Sequence, residues 1–159
     1  IANYLRTLIN HLQYPEETLA VAFLHDVHED YQVPLSTLSE HFGTMIANSV
    51  DNVSKVKMDS DGKIYKMDPR AYFSGMTGDP VATLVKGADR VHNQGSMVGT
   101  FGLEKQKSYI QETEEFILPM LKEARRTFSK QEPAYENVKF VLRSQIDFIK
   151  AMHEGDKNT

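Results

Sequence analysis

Four ionisable side chains follow an apolar run near the start of this chain. His25 and Asp26 come immediately after the letters A-V-A-F-L, and Glu29 and Asp30 lie one helical turn later. Burying an unpaired charge costs free energy, so ionisable residues beside buried apolar ones need partners. A divalent metal ion is a suitable partner for a histidine beside a carboxylate. The segment 20–30 therefore favours a metal site.

The spacing of these residues sets the geometry that such a site would need. Adjacent helix residues point about 100° apart, so His25 and Asp26 would share a metal only in a groove against other helices. Glu29 lies one turn beyond His25, and Asp30 lies one turn beyond Asp26. Their carboxylates would suit activation of a water molecule. The alternative is an exposed acidic helix end with one hydrogen-bonded histidine, and this segment alone leaves both interpretations open.

A second polar cluster lies farther along the chain, in the letters K-G-A-D-R-V-H-N. Asp89 follows an apolar run there, with Lys86, Arg90, His92 and Asn93 around it. Taken alone, this segment is better interpreted as an ordinary salt-bridged amphipathic helix. Together with the first segment it gives H-D, then E-D, then a distant D inside a helix. That ordered pattern is more specific than either half.

With these residues the chain resembles the HD-domain metal-dependent phosphohydrolases. Within them it looks like the hydrolase domain of the RelA/SpoT stringent-response enzymes and their small alarmone hydrolase relatives. The paired motifs H-D-x-x-E-D and A-D-R-x-H-N are specific for this subgroup, whereas H-D alone would be weak. The matching segments follow the family's order: E-E-T-L-A-V-A-F-L-H-D-V-H-E-D (16–30), L-S-T-L-S-E-H-F-G (35–43), V-D-N-V-S-K-V (50–56), V-K-G-A-D-R-V-H-N (85–93) and E-K-Q-K-S-Y-I-Q-E-T (104–113).

The resemblance implies the ligands and the catalytic groups of a metal site. One manganese ion, or another divalent metal, would be held by His25, Asp26 and Asp89. Glu29 and Asp30 would be catalytic, because they would position or activate the attacking water.

The resemblance also implies a nucleotide pocket beside the metal. Asn93 and Ser96 occupy the places of the residues that line this pocket in the family. Lys86 and Arg90 are cations near the site that would meet phosphate charge. Arg90 is equally well interpreted as a structural partner of a ligand carboxylate.

The chain departs from the family pattern in several places. The family's first metal ligand is a histidine in an H-P-x-x-V-A segment, and Ile1 would match the valine, so we expect that histidine just before this chain. The sequence context of His11 does not match, and we interpret it as a helix-end residue. His28 replaces an apolar residue and is expected to face solvent. Gly87 stands where a larger apolar residue is common.

Three functional hypotheses follow. The leading one is a guanosine-3′,5′-bis(diphosphate) 3′-pyrophosphohydrolase that removes the 3′ pyrophosphate of an alarmone nucleotide. The second keeps the metal and changes the substrate to another nucleotide, such as a deoxynucleotide or a 5′-monophosphate. The third is a binding or regulatory module with a degenerate, non-catalytic site. The basic guanine-contacting segment of the family would precede Ile1, which weakens the support for any one substrate.

The elements that must position these residues are helices. Apolar residues recur at helical spacing along most of the chain, and the fold class is therefore all-α, an HD-domain helical bundle. Pro119 is expected to kink the long seventh helix. The predicted helices cover residues 1–12, 15–31, 34–42, 44–56, 69–75, 81–97, 104–128 and 134–152.

No strand pair or hairpin is expected. The polar segment 57–68 predicts an exposed loop. Its acidic residues fall near the spacing of a calcium-binding loop, but Lys57 would then take the place of the first ligand, so a polar turn is the better interpretation.

Composition limits the class of protein. The 159 residues are 40% hydrophobic and 25% charged, carry a net charge of −4 and include no cysteine. These values indicate a soluble globular protein in a reducing compartment, the cytoplasm, without affinity for a nucleic-acid polymer. No apolar run approaches the ~20 residues of a membrane span. We expect one domain over 1–154, a frayed tail over 155–159 and a stand-alone protein.

Overall fold

Helices make up nearly all of the regular structure in residues 1–158, the part of the chain that the structure, a computed structural model, describes. The all-α prediction is confirmed. Short 3-10 turns lie at Ile9–His11 and Ser129–Gln131. The α-helices are α1 (Ala2–Thr7), α2 (Pro15–Tyr31), α3 (Leu35–Phe42), α4 (Thr44–Val53), α5 (Pro69–Met76), α6 (Pro80–Ser96), α7 (Leu103–Glu112), α8 (Leu118–Thr127) and α9 (Glu132–Lys157).

Helix α6 is the central element of the bundle and packs against α2, α4, α8 and α9. Its first turn is fixed by Asp79, whose Oδ1 accepts the N–H groups of Val81 (2.8 Å) and Ala82 (2.9 Å). The other oxygen of Asp79 accepts hydrogen bonds from Ser49 (2.8 Å) and Asn52 (3.0 Å) on α4. One carboxylate thus caps α6 and ties it to a neighbouring helix.

Gly87 lies where α6 passes closest to α8 and α9. A Cβ at this position would stand 2.8 Å from Cγ1 of Val138 and 3.3 Å from Cδ2 of Leu121. Both neighbours are fully buried. A larger residue would push the helices apart, so the departure noted at this position is explained by helix packing.

Gly87→Ala should therefore destabilise the protein by about 1–3 kcal/mol, because the added methyl group overpacks the core. Gly75→Ala is the matched control, since no atom lies within 4 Å of the Cβ that it would add. That control should stabilise the protein by up to about 1 kcal/mol, because alanine has the higher helix propensity. Urea unfolding of the two variants measures both values, and effects of equal sign would contradict the packing argument.

The prediction that the chain contains no hairpin is wrong. Strands β1 (Val56–Met58) and β2 (Ile64–Lys66) pair antiparallel, with Lys57 opposite Tyr65. Each strand has three residues, which is too short for a recognisable alternation of apolar and polar side chains.

The turn of the hairpin explains how the polar segment folds. The N–H of Gly62 donates to the carbonyl of Asp59 (3.1 Å), and Gly62 has a φ of 79° that favours glycine. The Oδ1 atom of Asp59 accepts the N–H groups of Asp61 (2.9 Å) and Lys63 (2.8 Å). This carboxylate stabilises the turn, in agreement with the polar-turn interpretation.

Several predicted helix ends lie elsewhere in the structure. The first predicted helix ends as an α-helix at Thr7, and the predicted helix 44–56 ends at Val53. The long helix 104–128 is interrupted by a π-helical segment, Thr113–Ile117, and Pro119 lies in the first turn of α8, where its missing N–H is tolerated. Helix α9 continues to Lys157, beyond the expected start of the tail, whereas Thr159 lies outside the described residues.

Candidate active site

A cleft of about 290 Å³ lies between α2, the α4–β1 junction, α6 and α7. Asp30 and Ser96 are exposed and do not line it. A larger, mainly apolar groove of about 520 Å³ adjoins it and shares Glu29 as a wall. The cleft is lined by His25, Asp26, Glu29, Val53, Lys55, Lys86, Asp89, Arg90, Asn93 and Tyr109.

His25 is buried and presents one nitrogen to two carboxylates. Its Nδ1 lies 2.8 Å from the carbonyl oxygen of Ala22, which can only accept, so Nδ1 donates there and Nε2 is the nitrogen available to the cleft. Nε2 lies 3.1 Å from Oδ1 of Asp26 and 3.8 Å from Oδ1 of Asp89. It is buried without a hydrogen bond. A buried nitrogen without a hydrogen bond costs free energy, and a cation bound between it and the two carboxylates would satisfy it.

The two carboxylates differ in their surroundings. Asp89 is held by weak contacts, since Lys86 Nζ and Asn93 Nδ2 each lie 3.4 Å from its Oδ2. Asp26 is more exposed, yet partial burial raises its pKa, and the charges of Asp89, Asp30 and Glu29 act in the same direction against the opposing effect of His25. Negative charge is therefore concentrated at this end of the cleft.

These donors fit a divalent cation by their chemistry. One imidazole nitrogen and two carboxylates are ligands that Zn²⁺, Mn²⁺ and similar ions accept. Within residues 1–158, no group of three or more His, Asp or Glu side chains stands close enough to hold an ion as it is. The His25 Nε2 atom without a partner is the observation that favours a cation here.

Glu29 is anchored by the junction that follows α4. Its Oε1 accepts the hydroxyl of Ser54 (3.0 Å) and the N–H of Lys55 (2.6 Å). Glu29 therefore points into the cleft from a fixed position, whereas Asp30 on the neighbouring position of α2 is exposed.

Two lysines line the cleft beside its carboxylates. The Nζ atoms of Lys55 and Lys86 lie 6.0 Å and 5.8 Å from the ring centroid of Tyr72. The hydroxyl of Tyr72 donates to the carbonyl of Val53, and burial raises its pKa. Burial also lowers the pKa of Lys86, although the charge of Asp89 opposes this shift. The cleft thus holds cations close to its carboxylates, with Lys86 Nζ 3.4 Å from Oδ2 of Asp89.

Arg90 belongs to a buried network with α7. Its Nη1 donates to the carbonyl of Tyr109 (3.0 Å), its Nη2 donates to Oε1 of Glu112, and its guanidinium lies 4.3 Å from the Tyr109 ring centroid. Burial alone would raise the pKa of Glu112. The charges of Arg90 and Lys55 and the hydrogen bond from Arg90 outweigh burial, so the pKa of Glu112 is lowered. The carboxylate partner of Arg90 is Glu112 rather than a residue of the proposed metal site.

Sequence reasoning missed three residues of this region. Lys55 and Tyr109 line the cleft, and Glu112 joins Arg90 to Lys55, whose Nζ lies 3.6 Å from the Glu112 carboxylate. All three fall inside the segments V-S-K-V and S-Y-I-Q-E that carried the family resemblance. That position inside matching segments was the available signal.

The two other histidines that precede α3, His11 and His28, lie outside the cleft lining. His11 ends the 3-10 turn after α1 and is exposed. The expectation that His28 faces solvent is wrong, because it is half-buried and its Nδ1 lies 2.7 Å from the carbonyl oxygen of Val33. His28 stabilises the C-terminal end of α2 and lines the apolar groove.

Comparisons with known proteins show which family the chain belongs to. A family model described as "HD domain" matches residues 2–126. The chain is 32% identical over 117 residues to a guanosine-3′,5′-bis(diphosphate) 3′-pyrophosphohydrolase of Haemophilus influenzae, which covers 72% of this chain and 17% of that protein. It is 36% identical over 104 residues to a probable GTP pyrophosphokinase of Mycobacterium leprae, covering 65% of this chain and 13% of that protein.

A third relative is named for both a synthase and a hydrolase activity. The bifunctional (p)ppGpp synthase/hydrolase SpoT of Escherichia coli is 32% identical over 107 residues, covering 65% of this chain and 15% of that protein. The chain thus spans only 13% to 17% of the length of these curated relatives. No helix within residues 1–158 is long and apolar enough to cross a membrane. With the family model matching residues 2–126, this chain belongs to the HD-domain family, whose members are divalent-metal-dependent hydrolases.

Proposed function

We propose that this chain carries a guanosine-3′,5′-bis(diphosphate) 3′-pyrophosphohydrolase activity. The observation that carries the proposal is the Nε2 atom of His25, which has no hydrogen bond and faces two carboxylates in a cleft that Lys55, Lys86 and Arg90 also line. Such a cleft suits a metal ion beside His25 and its carboxylates, with phosphate groups bound by the neighbouring cations. The relative from Haemophilus influenzae is named for this reaction.

His25, Asp26 and Asp89 would hold the metal ion, for which we propose Mn²⁺. When bound, such an ion supplies Lewis-acid activation of water and positive charge for the phosphate oxygens. The hydrogen bond from His25 Nδ1 to the Ala22 carbonyl (2.8 Å) keeps the imidazole in the tautomer that metal binding requires.

Glu29 accepts a proton from the attacking water. Its Oε1 is occupied by Ser54 and Lys55, so the proton goes to Oε2, which accepts no hydrogen bond from the described residues. Asp30 acts at longer range, because its charge contributes to the raised pKa of Asp26. A base within reach of the nucleophile contributes about 10²–10⁴-fold to rate.

The remaining residues bind the nucleotide. Lys86 faces the phosphate groups, and Arg90 holds the wall of the cleft in place while contributing positive charge. Asn93 meets the nucleoside, whereas Ser96, one turn farther along α6, is exposed and outside the cleft lining. The water oxygen forms a bond to the phosphorus attached at O3′, the P–O3′ bond breaks, and O3′ takes a proton, so pyrophosphate is released and GDP remains.

Pyrophosphate release measured with Mn²⁺ and guanosine-3′,5′-bis(diphosphate) tests the proposal. We expect turnover that chelation by EDTA abolishes and added Mn²⁺ restores. Protein that binds Mn²⁺ without turning over this nucleotide would contradict the proposed substrate. Protein that binds no metal would favour the non-catalytic binding module.

A second candidate is hydrolysis of another nucleotide. The observation in its favour is that Ser96 does not line the cleft, which leaves Asn93 as the main predicted contact to the nucleoside. A panel of deoxynucleoside triphosphates and 5′-monophosphates, assayed beside the alarmone, separates the two. A kcat/KM higher for any of these than for the alarmone would support the second candidate.

A further inference from the structure

The junction between α4 and β1 holds the carboxylate of Glu29 with two donors. Ser54 Oγ lies 3.0 Å from Glu29 Oε1, and the N–H of Lys55 donates to the same oxygen at 2.6 Å. Ser54 is fully buried and follows the last residue of α4, Val53. The two donors come from consecutive residues, so they approach one oxygen from a single rigid segment.

Ser54 has one hydroxyl hydrogen and two acceptors within reach. Its Oγ is 3.0 Å from Glu29 Oε1 and 2.9 Å from the carbonyl oxygen of Val56, while the N–H of Val56 approaches Oγ at 3.3 Å. A hydroxyl donates only one hydrogen bond. The hydroxyl therefore serves either Glu29 or the first residue of the hairpin, whereas the Lys55 N–H serves Glu29 alone.

Glu29 needs such donors because its position disfavours a carboxylate. It lies in the last turn of α2, which ends at Tyr31, so the negative end of the helix dipole is close. Glu29 also shares the cleft with two further carboxylates, those of Asp26 and Asp89. Without external donors, a flexible glutamate would turn away from this charge.

We infer that Ser54 is a positioning residue for Glu29. It fixes Oε1 of Glu29 and leaves Oε2 free to accept the proton of the attacking water. This inference rests on the proposed function. Ser54 does not touch the substrate. It acts only through Glu29, and the Lys55 N–H remains as a second donor when the hydroxyl is removed.

A kinetic double-mutant cycle of Ser54→Ala and Glu29→Gln tests this role. Ser54→Ala should lower kcat about tenfold, the effect of losing one hydrogen bond to a charged group, with KM within about twofold. In the Glu29→Gln background, Ser54→Ala should cause no further loss of kcat, because Ser54 acts only through the carboxylate that this background has already removed. Ser54→Thr keeps the hydroxyl and should restore most of kcat.

Ser49→Ala is the matched control. Ser49, on α4, is also a buried serine that donates to a carboxylate of a distant segment, at 2.8 Å from Asp79 Oδ2. It should lower Tm as much as Ser54→Ala does while leaving kcat unchanged. Metal content, measured for every variant, should equal that of the wild type.

Two results would overturn the inference while the proposed function stands. One is an active wild type in which Ser54→Ala lowers kcat equally in both backgrounds. The other is an equal loss of kcat in Ser49→Ala. A wild type without turnover would overturn the proposed function, and the inference with it.

Discussion

Replacing His25 by alanine should remove the metal ion and with it all measurable turnover. His25 supplies the only nitrogen among the proposed ligands, and its Nε2 already faces Asp26 and Asp89. Losing a hydrogen-bond partner of a metal ligand typically costs 10–100-fold in affinity, so losing the ligand itself should weaken Mn²⁺ binding by more than about 100-fold. Calorimetric titration with Mn²⁺ measures the affinity, and pyrophosphate release measures the activity.

His28→Ala is the matched control for this experiment. His28 lies on the same helix and also contacts a backbone carbonyl through Nδ1, but it does not line the cleft. It should lower Tm and leave the affinity for Mn²⁺ unchanged. If His25→Ala kept the wild-type metal content, the proposed site would be wrong.

Glu29→Gln should lower kcat by about 10²–10⁴-fold while the protein keeps its fold and its metal. The glutamine side chain has the same shape, and its amide oxygen still accepts the hydrogen bonds of Ser54 and Lys55. What it loses is the ability to take a proton. Steady-state kinetics and metal content measured on the same preparation separate this effect from weaker binding.

Two further variants serve as controls for Glu29→Gln. Glu16→Gln, in the exposed first turn of α2, should leave kcat unchanged. Asp30→Asn should have a smaller effect than Glu29→Gln, because Asp30 is exposed and outside the cleft lining. Full turnover by Glu29→Gln would mean that this carboxylate only anchors the α4–β1 junction, and the proton acceptor would have to be sought elsewhere.

The sequence predicted well the features that depend on neighbouring residues. Helix α2 begins at Pro15 and ends at Tyr31 as expected, because proline at the first turn and the apolar spacing are both local signals. The family resemblance was confirmed by the match to residues 2–126. The hairpin was missed because a glycine turn closes it and its three-residue strands are too short to show an alternating pattern.

The cleft was harder to predict because its walls come from separate segments. His25 and Asp89 were found through motifs, and in the structure His25 Nε2 lies 3.8 Å from Oδ1 of Asp89. Lys55 and Glu112 have no motif of their own, and their contact at 3.6 Å exists only because α7 packs beside the α4–β1 junction. No local pattern could assign Arg90 to Glu112, since that choice depends on tertiary distance. The roles of Glu29 and Asp30 stay predictions.

The close helix crossing at Gly87 lies near Asp89, one of the proposed metal ligands. Asp89 lies two residues beyond Gly87, about 3 Å along the axis of α6 at 1.5 Å per residue. The Val138 side chain on α9, 2.8 Å from where a Cβ of Gly87 would stand, therefore packs against α6 close to Asp89. Volume changes in this buried valine should tune metal affinity from the opposite side of α6, without altering any ligand. Laboratory selection for tighter or looser metal binding should accordingly recover substitutions on α9 as well as at the cleft.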